Sequence, residues 1–227
     1  MRIRVIDVET TGTEPTDAII EIGAWDLIDG KIDAASSIDT LVNPGRPIPP
    51  ELSAIHHIVD TDVADAPKLD QVLPLSIDGA DAFCAHNAKF ERQWFTEAVT
   101  GGRPWICTLR CAYIIWPDAP GHSNQTLRYW LKAEGLDRQI ANVAHRAAPD
   151  AYVTAFTLRE LLKRASFDEL VRWSNQPALL PRITFGKHRG QRFADVPIDY
   201  LQWLTRQNDM NEDVIHSARF ALKARAA

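Results

Sequence analysis

The chain has 227 residues, 45% of them hydrophobic and 24% charged, with a net charge of −5 and 11 glycines. That length suits one substantial domain with a small appendage, and the composition excludes a disordered, collagen-like or disulfide-rich chain. No stretch approaches the roughly 18 uninterrupted apolar residues that a membrane-spanning helix requires.

Taken in order, Ile3–Val8 reads as a strand, and Ile19–Ile28 as a second that turns at Asp29-Gly30 into a third running to about Val42. The proline-rich residues 43–50 read as a loop, because proline removes a ladder donor. A helix follows over Leu69–Ile77, then a short buried strand at Ala82–Ala85 and a helix over Ala88–Val99. Trp105–Cys107 is predicted as a strand, with helices near Leu109–Trp116 and Gln125–Glu134. The strongest helix spans Pro149–Arg164, with Tyr152, Phe156 and Leu161 facing inward. Three opening strands followed by alternating strands and helices indicate an α/β mixed sheet flanked by helices. The domain is expected over residues 1–168 and a linker over 169–181, with its two prolines at Pro177 and Pro181. Residues 182–227 would form a small α+β module: a hairpin over Ile183–Val196 and helices near Ile198–Arg206 and Glu212–Ala224. Trp173, Tyr200 and Trp203, at helical positions, are expected in the core.

Charge is unevenly spread. From Gln176 onward there are eight Lys/Arg and five Asp/Glu, against 17 and 25 in residues 1–175. A mildly basic tail on an acidic body suits an enzyme whose carboxylates are neutralised by cations. Cys84, Cys107 and Cys111 have no partner set for a zinc site and read as buried thiols in a reducing compartment. A first strand that begins at once, with no apolar signal core, predicts a cytoplasmic protein without membrane association.

Three patches carry the chemistry: Asp7-Val8-Glu9, His86-Asn87-Ala88-Lys89-Phe90-Glu91, and His145-Arg146-Ala147-Ala148-Pro149-Asp150. Positions two apart share a strand face, so Ile3, Val5, Asp7 and Glu9 align, with two carboxylates at the strand end. Such like charges repel unless a cation lies between them. His145 and Asp150 cannot both face inward from one helix, being about 140° apart around it. Pro149 belongs in a first helical turn, so the helix is predicted to start near Ala148. His145 then sits on the preceding loop, and Asp150 in the first turn, where the dipole favours its ionised form. Four carboxylates and an imidazole that can meet only in a folded core make a site for two hard divalent cations and a general base.

In order and spacing these patches resemble the DEDDh (DnaQ-like) 3′→5′ exonuclease superfamily. Ala54-Ile55-His56-His57-Ile58 is similar to a segment those enzymes place between the first two motifs. Trp105-Ile106-Cys107-Thr108 and the tail Phe185-Gly186-Lys187-His188-Arg189-Gly190 look closest to its exodeoxyribonuclease X branch. The resemblance implies an RNase H-like fold and two Mg²⁺ or Mn²⁺ ions, with Asp7, Glu9 and Asp150 holding the metals and Asp7 bridging both. It implies that His145 deprotonates the attacking water and that nucleoside 5′-monophosphates leave from the 3′ end. The chain departs from the pattern at Glu91, where the family has Asp; that position reaches the metals through water in relatives, which would accommodate the longer arm. Thr10, Thr11 and Gly12 are expected to position the terminal nucleotide, with His86 and Asn87 beside it. Phe90 is expected to pack. Lys187 and Arg189 on the tail would hold the strand upstream, tracking phosphates, with Phe185 and Phe193 available to stack on bases. The expected partner is DNA, at single-stranded 3′ ends. An exoribonuclease of the same superfamily is the runner-up, since no residue declares itself a reader of the 2′-OH. A binding module whose catalysis has lapsed, with Glu91 as its first sign, is the third reading. Such enzymes serve repair, proofreading and processing alike, and the sequence does not choose among them.

Overall fold

The computed structural model describes residues 1–226. Its centre is β1 (Arg2–Thr10), which pairs antiparallel with β2 (Ile19–Ile28), which in turn pairs antiparallel with β3 (Lys31–Leu41). Three helices follow: α1 (Pro50–His56), α2 (Asp60–Val63) and α3 (Leu69–Ile77). The chain then adds two parallel strands on the far side of β1, β4 (Ala82–Ala85) and β5 (Trp105–Cys107), with α4 (Ala88–Glu91) and α5 (Glu97–Thr100) between them. The result is a five-stranded mixed sheet of order β3-β2-β1-β4-β5. Beyond it lie α6 (Thr108–Ile115), α7 (Asn124–Leu131), α8 (Arg138–Ala141), α9 (Ala147–Leu162) and α10 (Phe167–Ser174). The chain closes with α11 (Ile198–Leu204) and α12 (Glu212–Ala226).

Strand alternation divides the core. Ile3 and Val5 face α9, joining Tyr152, Phe156 and Leu158, while Ile6 and Val8 face the other way, with Phe83, Phe95 and Val72. Eleven of the sixteen residues of α9 are buried, so this helix is clamped on the sheet along most of its length. The expected α/β mixed sheet flanked by helices is what forms.

Four expected elements are corrected. The helix over Ala88–Val99 is two short helices, because Thr96 takes extended angles and caps the second. The break lets Trp94 donate its indole N–H to the Asp17 carbonyl at 3.0 Å. Pro50, read as loop, starts α1, where a missing N–H costs nothing. Residues 169–174 are not linker but the body of α10, begun by a Ser166/Glu169 capping box; Leu170 is buried in the sheet core and the Ser174 hydroxyl bonds the Cys107 amide at 2.7 Å. The hairpin over 183–196 is instead two 3₁₀ turns, Gly186–His188 and Phe193–Asp195, with one bridge between Arg182 and Arg192. Local bonds, Ile183 N–H to Gln191 C=O at 2.9 Å and Gly190 N–H to Ile183 C=O at 2.8 Å, satisfy the backbone there.

The C-terminal module has its own core of Ile183, Phe193, Val196, Leu201, Leu204, Val214 and Ala218. Phe193, expected to be free for stacking, is 4% exposed and belongs to that core. Trp203, expected inside, is 46% exposed. All three cysteines are buried and unpaired, and burial pushes the Cys111 thiol up to about 12. Among the described residues no helix is long and apolar enough to cross a membrane.

Candidate active site

At the end of β1, one carboxylate oxygen each from Asp7, Glu9 and Asp150 lie within 4.8 Å of one another. Strand period places the first two. The third arrives because α9 crosses β2 in close contact, and Gly23, the register partner of Asp7, makes that contact possible. A Cβ at Gly23 would sit 2.0 Å from the Ala148 nitrogen and 2.1 Å from the Ala147 carbonyl carbon. Trp25 adds an indole N–H bond to the Ala148 carbonyl at 3.0 Å.

A buried acid anchors the same helix start. Glu21 is fully buried on β2, accepts the Ala147 amide at 2.8 Å, and pairs with the Arg146 guanidinium, whose Nε is 2.9 Å from Oε1. Asp150 is itself held. Its Oδ1 accepts from the Gln125 side-chain amide at 2.9 Å, its Oδ2 accepts the His145 backbone amide at 2.7 Å, and Asn124 donates to its carbonyl at 2.9 Å. Gly23, Glu21, Arg146, Asn124 and Gln125 were not singled out by sequence reasoning. Only Glu21 left a signal: a charge inside the apolar run Ile19-Ile20-Glu21-Ile22, which is affordable only if paired.

The electrostatics are those of buried like charges crowded together. Burial, reinforced by Glu91, Asp150, Glu9 and Glu21, raises the Asp7 carboxyl well above its ordinary range. Glu9 is raised to about 8 by burial and by Glu21 and Asp150, with Arg146 opposing. Glu91 is buried on α4, with Oε2 lacking a hydrogen-bond partner, and burial pushes it to about 8. Its charge acts on Asp7, and it lies outside the tight group of three. Carboxylates held this close and this protonated fit a divalent-cation site, which would supply the missing charge.

His145 sits where expected, on a bend before α9, with its side chain exposed. His86 does not keep a free hand. Its Nδ1 bonds the Thr108 hydroxyl at 2.9 Å and its Nε2 the His122 carbonyl at 2.8 Å, and burial lowers its pKa to about 4. These bonds tie β4 to residues 108–122. Asn87 is exposed just before α4. The Thr10 hydroxyl donates to the Gly12 carbonyl at 2.6 Å, and the Thr11 hydroxyl accepts the Ala18 amide at 3.0 Å, so both expected contacts are engaged within the turn. The Asp17 carboxylate fills the space beside Gly12, where a Cβ would meet it at 2.3 Å. Phe90 packs as expected, edge-on to Trp94 with ring centroids 5.2 Å apart. Lys187 and Arg189 are exposed on the C-terminal module.

Residues 5–158 match the RNase_T family model, described as "Exonuclease". The chain is 35% identical over 212 residues to exodeoxyribonuclease 10 of Escherichia coli (strain K12), covering 91% of this chain and 92% of that protein. Among solved structures it is similar to exonuclease X in complex with 5′-overhanging duplex DNA, with a TM-score of 0.63 and 34% identity over 76% of this chain and 99% of that one. It shares its fold with a 3′-exonuclease that recognises a histone mRNA stem-loop, at a TM-score of 0.55 and 16% identity over 75% and 83% of the two chains.

Proposed function

The chain belongs to the RNase_T exonuclease family, and on that premise we propose that it is a metal-dependent 3′→5′ exodeoxyribonuclease releasing nucleoside 5′-monophosphates. The observation that carries this reading is the group of Asp7, Glu9 and Asp150, three carboxylates drawn together at a strand end with two of them pushed upward in pKa. Those residues would hold two Mg²⁺ or Mn²⁺ ions, with Glu91 acting on them through intervening water. When bound, the ions supply the positive charge that stabilises the phosphodiester transition state and the departing 3′ oxygen.

The chain's own residues do the rest. Asp7 and Glu9 give up protons as the site fills, which makes occupancy pH-dependent. His145 takes the proton of the attacking water. Its backbone amide is pinned to Asp150, so the imidazole moves while the bend does not. Asn124 and Gln125 orient Asp150, as partners behind a ligand commonly do.

DNA is favoured over RNA by the 35% identity to a protein named exodeoxyribonuclease over nine-tenths of the chain. The substrate end would be a single-stranded 3′ terminus. The test incubates the protein with a 5′-labelled DNA strand and the matching RNA, with Mg²⁺, Mn²⁺ or EDTA. A ladder shortening from the 3′ end of DNA, absent with EDTA, is expected. Faster loss of RNA moves the reading to an exoribonuclease, and no ladder with any metal while DNA still binds means that catalysis has lapsed.

A further inference from the structure

The C-terminal module buries one side of α11, through Leu201 and Leu204, and leaves an aromatic face on the other. Trp203 is 46% exposed there. Beneath it, Tyr200 lies 5.3 Å from Trp203 between ring centroids, at 31°, and 4.5 Å from the His188 ring. The Lys187 ammonium sits 5.4 Å over the Tyr200 ring. Nothing in the module's core needs Trp203, and the rings under it are held in place. A fixed, half-exposed indole amid cations is the arrangement that stacks unpaired bases.

The surrounding charge agrees. Lys187 lies over the Tyr200 ring, and Arg189 and Arg206, one and three residues from His188 and Trp203 in sequence, are exposed, against Asp199, which accepts the Tyr200 amide at 2.8 Å, and the exposed Asp209. From Gln176 onward the chain has a surplus of three positive charges, while the rest has a surplus of eight negative ones. A polyanion would settle on the module rather than on the body.

One loop joins the module to the carboxylates. Asp118 pairs with Arg192 of the module, while Asn124 and Gln125, six and seven residues on, hold Asp150. Six residues span at most about 20 Å, which bounds the reach from Asn124 to the module's edge at Asp118 and Arg192; a strand at the duplex rise covers it in about six nucleotides. A cavity of about 630 Å³ lies between this loop and Leu180, Pro181 and Arg182.

We propose that Trp203 and Tyr200, flanked by Lys187, Arg189 and Arg206, form a stacking platform for the single-stranded part of the DNA substrate upstream of the 3′ end being cut. This rests on the reading of the carboxylate site as a DNA exonuclease, and it makes the module a length-dependent grip. Strands too short to reach from the site to Trp203 do not feel it.

The test measures affinity for a single-stranded twenty-mer and for a tetranucleotide of the same base, in EDTA so that nothing is cut. The full-length wild type is compared with Trp203→Ala, Trp203→Phe and the double variant Lys187→Ala/Arg189→Ala. Trp203→Ala is expected to weaken the twenty-mer about tenfold, a typical loss for one stacked base. Trp203→Phe should restore most of it, and the tetranucleotide should bind all variants alike. The double variant should flatten the salt dependence by about 0.7 per lost phosphate contact. A twenty-mer bound by Trp203→Ala as tightly as by wild type, or a tetranucleotide weakened in parallel, overturns the platform. Wild-type hydrolysis of a small thymidine 5′-phosphate ester with Mg²⁺, run alongside, judges the exonuclease reading separately.

Discussion

Adding one methyl group at Gly23 should disable the site without touching any carboxylate. In Gly23→Ala the new Cβ would lie 2.0 Å from the Ala148 nitrogen, and against an ordinary 3.4 Å contact the shortfall is about 1.4 Å. The obstacle is backbone, so no side chain can swing aside, and the first turn of α9 must retreat. That turn carries Asp150, the Ala147 amide bonded to Glu21 and the Ala148 carbonyl bonded to Trp25, so all three contacts loosen together. Overpacking alone costs about 1–3 kcal/mol, and misplacing a reacting geometry by about 1 Å costs roughly a hundredfold in rate. Steady-state kinetics on a single-stranded oligonucleotide should show kcat/KM down by at least that factor, and urea unfolding a lower midpoint with m unchanged. A Gly23→Ala enzyme within threefold of wild type would refute the idea that close approach of α9 to β2 builds the site.

Three further outcomes are expected. The raised carboxyls bind more protons in the metal-free fold than in the unfolded chain, so the stability they contribute is full below about pH 4.5 and is lost as pH rises towards 8, where Glu9 and Glu91 ionise; above the range where the buried His86 opposes it, this loss dominates. Melting scans in EDTA should show this fall, and excess Mg²⁺ should reverse it at the alkaline end; a melting temperature that rises over that window in EDTA counts against the shifts. Gln125→Ala and Asn124→Ala free Asp150 and should each lower activity about ten- to a hundredfold while leaving the fold intact, checked by kinetics beside circular dichroism. Glu91→Asp should keep Mg²⁺-supported turnover within a few-fold, because this carboxylate stands outside the group of three; a larger loss means that the site has been built around the longer arm.

What the sequence disclosed follows from what is periodic and what is not. The two-residue strand period put Asp7 and Glu9 on the face of Ile3 and Val5, and Pro149 located the start of α9 to within a residue or two. Long elements such as β2 and α3 were legible for the same reason. The supports of the site were not, because they act across elements: Gly23 matters through a helix 125 residues on, and Gln125 through Asp150. The buried pair of Arg4 and Asp26, 2.8 Å apart between β1 and β2, likewise reads in sequence as two ordinary surface charges. The internal partners of His86 and of the Thr11 hydroxyl, Thr108 and Ala18, left no mark in the sequence because they too lie on other segments. The tail misled in the opposite sense. Residues 183–196, punctuated by glycines, read as a hairpin, but Ile183 and Phe193 enter the module's core and the chain between and after them forms tight 3₁₀ turns.

The most direct measurement is diffraction at the manganese edge from crystals grown with Mn²⁺ and a nucleoside 5′-monophosphate. The account predicts two anomalous peaks at Asp7, Glu9 and Asp150, roughly 3.5–4 Å apart as in two-metal nucleases, and their loss in Asp7→Ala. No peak among these three carboxylates, in crystals that contain the nucleotide, would contradict it.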